Sequence, residues 1–131
     1  MRFAFTLSLL LGAGGFAVAQ SKSVIVQSPA KDDTVAKVDE VKGICAVKGA
    51  VPVVFVKPLD GTEWYVQPAA TLDGAKFKVN AHFGEAACAK GTRFKIVVVA
   101  IPTDKVKGYT EGDKVAALPD YPASDPITVT R

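Results

Sequence analysis

Lys76-Phe77-Lys78-Val79-Asn80-Ala81-His82-Phe83-Gly84 carries the clearest structural signal in this chain. Phe77, Val79, Ala81 and Phe83 point one way while Lys76, Lys78, Asn80 and His82 point the other, the period-2 pattern of a strand with one dry face and one wet face. Gly84 ends it, and Asp73-Gly74 is a turn just before it. Further along, Thr92 to Ile101 reads as another strand, with Phe94, Ile96, Val98 and Ala100 on one side. Its second half, Val97 to Ile101, is apolar on both sides, which predicts a central position in a sheet. Val51 to Leu59 is apolar on both faces across Val53-Val54-Phe55-Val56, so the two strands are expected to lie side by side. Asp60-Gly61 is a tight-turn signature from which Glu63-Trp64-Tyr65-Val66-Gln67 returns as the other arm of a hairpin, ended by Pro68.

Three more short runs complete the pattern. Ser23 to Gln27 is a first strand closed by Ser28-Pro29, Val41 to Val47 a second closed by Lys48-Gly49-Ala50, and Ile127 to Thr130 a last one. Glu85 to Gly91 is a small-residue loop carrying Cys88. The stretch from Thr103 to Pro126 is loop-like, with Lys114 to Leu118 expected to form one helical turn. Seven short strands with turn residues at sandwich spacing predict an all-β, immunoglobulin-like antiparallel β-sandwich, with a small barrel as the alternative.

The run Val53 to Leu59, then Glu63-Trp64-Tyr65-Val66-Gln67-Pro68, then Phe77 to Gly84, then Gly91 with Phe94-Lys95-Ile96, resembles a poorly characterised bacterial extracytoplasmic module. In that module an apolar strand ending in proline precedes an aromatic pair and Gln-Pro, and a later strand closes before glycine. The resemblance covers roughly residues 41 to 102 and implies an immunoglobulin-like fold. It implies no settled activity and no catalytic residues.

The first nineteen residues read as a cleavable signal peptide. Met1-Arg2 is the positive start, Phe3 to Leu11 the apolar middle, and Ala17-Val18-Ala19 the small-x-small cleavage site. The expectation is a single domain from Gln20 to Arg131, periplasmic or secreted. The apolar run is short for a membrane span, and no cysteine directly follows the small residues, so no stable membrane anchor is expected after cleavage. The formal charge of +3 is spread among lysines and acids along the chain. Such a mixed surface gives no support to a nucleic-acid partner.

Cys45 and Cys88 are the two cysteines of the chain. In an oxidising compartment a lone pair is expected to close into a disulfide. A loop of about 43 residues would then contribute on the order of 4 kcal/mol by the chain-entropy argument. Neither CxxC spacing nor a histidine cluster accompanies the pair, so a redox or zinc site is not expected. The acids Asp32, Asp33, Asp39 and Glu40 read as a solvated loop rather than a calcium site, and no metal or other cofactor is expected.

No catalytic constellation is legible, so the chain is expected not to be an enzyme. His82 is the sole histidine and falls among lysines on a wet strand face, and none of Ser21, Ser23, Ser28 or Ser124 sits in a nucleophile elbow. What remains is a binding surface. Trp64 and Tyr65 are adjacent on a strand and must point to opposite faces, so one of them needs a second buried surface or is a contact residue. The long loop from Thr103 to Pro126 brings Tyr109 and Tyr121, and it reads either as a recognition loop or as a cover for the outward ring. Trp64, Tyr65, Tyr109 and Tyr121 are thus the candidate binding residues of an exported, noncatalytic binding or adhesion module acting on a protein or envelope glycan. The alternatives are a structural accessory domain of an envelope assembly and a small secreted enzyme inhibitor.

Overall fold

The computed structural model describes residues 23–84 and 89–131. The signal-peptide segment and Cys88 lie outside the described residues. The strands are β1 (Val24–Ser28), β2 (Val38–Cys45), β3 (Ala50–Pro58), β4 (Trp64–Val66), β5 (Thr71–Asp73), β6 (Lys76–His82), β7 (Arg93–Pro102), β8 (Lys114–Val115) and β9 (Ile127–Thr130). A 3-10 turn occupies Val106–Gly108. The strands form two antiparallel sheets, ordered β9-β7-β3-β4-β8 and β1-β2-β6-β5. In immunoglobulin lettering these are G-F-C-C′ with a fifth strand, and A-B-E-D. The fifth position, filled by C″ in variable-type domains, is taken here by β8, which comes from the connection between β7 and β9.

The alternation at 76–82 is realised residue by residue. Phe77, Val79 and Ala81 are buried and the residues between them exposed. β3 and β7, the two strands apolar on both faces, pair along nine positions from Ala50↔Pro102 to Pro58↔Phe94 and form the centre of the five-stranded sheet. Between the sheets Val41, Val54, Val56, Val79, Phe94, Ile96, Val98 and Val129 pack into one core. Gly43 of β2 stands opposite Phe77. A Cβ there would run into the Ile25 carbonyl and come 2.8 Å from the Phe77 ring, so only glycine lets the ring lie across the strand.

The edges are managed unequally. After β1 the chain crosses to the other sheet, where Asp32 and Val35 donate to the Thr128 and Thr130 carbonyls and Thr130 donates to the Asp33 carbonyl. That crossing covers the free side of β9. β5 and β8 are short edges of three and two residues.

Several expectations need correction. β2 begins at Val38 and ends at Cys45, earlier than the expected 41–47 run. β5 was not anticipated, because all three of its residues are exposed and carry no hydrophobic pattern. Lys114-Val115 is a strand and not part of a helical turn, since the exposed backbone edge of β4 offers it a partner. The expected Cys45–Cys88 disulfide is absent: Cys45 is a half-buried free thiol. It sits where β2 turns into β3, the end of the domain at which Ala50 pairs with Pro102.

Candidate binding surface

The outer face of the five-stranded sheet is a second, smaller core. Val53, Phe55, Val66, Val97, Val99 and Ile101 are buried there, and Trp64, Val106, Tyr109, Val115, Leu118 and Tyr121 pack over them. These covering residues come largely from the connection between β7 and β9. It runs down through the 3-10 turn, pairs with β4 at Trp64↔Val115, then returns to bridge Val99↔Ala123. Ser124 is buried at this return, where its amide donates to the Val98 carbonyl and its Oγ accepts from the Val98 amide. The Tyr109 ring meets Phe55 edge-on at 6.0 Å. This connection is therefore a packed flap, and the ring-covering reading of residues 103–126 is the one realised.

That arrangement separates the four candidate rings. Trp64, Tyr109 and Tyr121 are half-buried parts of the second core. Tyr65 faces the other way, toward the space between the sheets, as its partner Val56 does. It is 37% exposed, the one exposed Phe, Trp or Tyr among the described residues. Its ring stays open because the sheet opposite is incomplete at this level: β5 pairs only with Lys76–Lys78, leaving the second half of β6 paired with β2 on one side and without a strand on the other.

Gln67 fills part of that gap. The register that pairs Thr71 with Lys78 reaches His82 at Gln67, and there the Gln67 Oε1 accepts from the His82 amide at 2.7 Å. Its Nε2 donates to the Tyr65 carbonyl at 3.1 Å, and its amide donates to the Val54 carbonyl at 3.0 Å. A 6% exposed side chain thus ties the two sheets together with its polar atoms satisfied. Pro68, which has no amide hydrogen, prevents the chain from continuing as a strand along β6. Sequence reading placed Gln67 at a strand end. Its bridging role became visible only once the register was known.

Beneath Gln67 and beside Tyr65 is a cleft of about 300 Å³ between the sheets. Val56, Pro58 and Phe94 form its apolar wall, with His82, Gly84, Glu111 and Gly112 around it. The Lys114 ammonium stands 6.0 Å from the Tyr65 ring centroid. An aromatic ring, an apolar wall and a few polar groups at the rim form the composition of a small binding cleft.

Comparison with known protein families, curated proteins and solved structures finds no match to this chain.

The acids of the β1–β2 region are engaged one by one. Asp33 accepts from the Ala30 amide and Asp39 from the Ala36 amide, each closing a turn. Asp32 pairs with Arg93 at 3.5 Å, and Glu40 pairs with Lys42 and Lys78 at 3.4 and 3.8 Å. His82 is exposed.

Proposed function

We propose that this chain is an exported, noncatalytic binding module of immunoglobulin-like fold, and that it engages a protein or an envelope glycan through Tyr65 and the cleft beside it. The observation that carries this reading is the placement of Tyr65: an aromatic side chain kept open at the one place where the second sheet stops short. Neighbouring apolar wall and rim groups supply the mixed contacts by which such clefts orient a ligand. The small-x-small site at Ala17-Val18-Ala19 supports export, and the engagement of Ser124 in flap packing removes one candidate nucleophile. The loop on which an inhibitory role would depend lies flat against its own sheet.

The test is affinity capture from the extracytoplasmic fraction with the wild-type chain and with Tyr65→Ala. Partners retained by wild type and lost with Tyr65→Ala support the reading. A partner set identical for both chains contradicts it. Use of Trp64, Tyr109 and Tyr121 in internal packing also fits the alternative of a structural accessory domain, which predicts that Tyr65→Ala changes nothing.

A further inference from the structure

The lower half of the five-stranded sheet's outer face lies beyond the flap. There the strand registers place Thr128, Lys95, Lys57 and Trp64 in one continuous row across β9, β7, β3 and β4. Lys57 and Lys95 are directly opposed, although they are far apart in sequence. Arg93 stands two residues along β7 on the same face, opposite Thr130. The Lys57 ammonium lies 5.4 Å from the Trp64 ring centroid. Asp32 takes one Arg93 nitrogen.

The other sheet shows what such a pair ordinarily requires. Lys42 and Lys78 are also directly opposed on neighbouring strands, but Glu40 lies between them and pairs with both. Like charges directly across a strand pair repel unless a counter-charge is supplied. Among the described residues, no carboxylate is paired with Lys57 or Lys95 in the way that Glu40 is paired with Lys42 and Lys78.

We propose that this row binds the carboxylate groups of an acidic polysaccharide, the ligand carboxylate taking the place that Glu40 holds on the opposite sheet. Two ammonium groups and Arg93 supply charge complementarity, and Thr128 and Thr130 supply hydroxyls beside them for sugar hydroxyl groups. A nucleic acid fits less well. Affinity for its backbone rests on many phosphate contacts, and Trp64, half-buried under the flap and against Lys57, offers no free face for a base. The proposal does not depend on the Tyr65 cleft, because Tyr65 lies on the inner face of the sheet and the lysine row on the outer.

Calorimetric titration of the full chain with polygalacturonate, with its methyl ester and with a short DNA duplex tests it. Binding to polygalacturonate that weakens with salt, is lost with the neutral ester and falls about tenfold in Lys57→Gln/Lys95→Gln supports the proposal, provided that Lys42→Gln/Lys78→Gln binds like wild type. Lys57→Arg/Lys95→Arg should retain binding, which covers the case in which the glutamine variant fails to fold. No binding to polygalacturonate, equal loss in the two glutamine variants, loss in the arginine variant while it remains folded, or tighter binding to the duplex than to polygalacturonate would each overturn it.

Discussion

The two outer faces of this sandwich share one feature and solve it differently. Each carries a pair of lysines directly across a strand pair, Lys42–Lys78 on one sheet and Lys57–Lys95 on the other. The four-stranded sheet neutralises its pair with Glu40 and leaves the rest of its face to solvent. The five-stranded sheet spends its outer face on a second core under the flap, and among the described residues no carboxylate pairs with its two lysines. Burial and local neutralisation thus make the upper part of one face and the whole of the other self-sufficient, whereas the lysine row and the Tyr65 cleft are left with capacity for an external group.

The largest effect is expected from hollowing out the second core. Phe55 is fully buried under Tyr109, and Phe55→Ala should cost about 3–5 kcal/mol in equilibrium urea unfolding. A cost as small as that of a surface change would mean that the flap is not packed down. Next comes the seam between the sheets. Gln67→Leu retains much of the side chain's bulk but leaves the His82 amide without its acceptor, and the expected loss is about 1–3 kcal/mol in the same measurement. It should be accompanied by faster amide exchange at His82.

The smallest effects distinguish the two lysine pairs by opposite signs. Glu40→Gln should destabilise slightly, by about 0.2–1 kcal/mol, because it returns Lys42 and Lys78 to uncompensated repulsion. Lys95→Gln should stabilise by a similar amount, because it removes a repulsion that has no partner to relieve it. Both are exposed pairs, so raising the salt concentration should shrink both effects. Paired thermal melts at low and high salt check the sign and the salt dependence together.

Much of the fold was legible because burial imposes a period. The alternation at Phe77 to Phe83 and the two-sided apolar runs at Val53–Val56 and Val97–Ile101 follow directly from which faces are dry. β5 and β8 escaped because edge strands of three and two residues are too short to show such a pattern. They exist because a neighbouring strand offers unpaired backbone. Cys45 is a free thiol at the end of β2, a state that cysteine number and compartment alone do not reveal. Among the candidate rings, adjacency showed that Trp64 and Tyr65 must part, and the structure assigned Trp64, with Tyr109 and Tyr121, to packing. Lys57 and Lys95 were invisible as a pair, since nothing in sequence separation reveals cross-strand register.

The flap rings hold the protein together while Tyr65 is held open for a ligand, and equilibrium urea unfolding of Tyr109→Ala beside Tyr65→Ala separates the two roles. Tyr109→Ala is predicted to lose about 2 kcal/mol or more, as expected for truncating a ring packed on Phe55, while Tyr65→Ala stays within about 1 kcal/mol of wild type. The reverse order, with Tyr65 essential to stability and Tyr109 dispensable, would mean that the flap is not what holds the outer face.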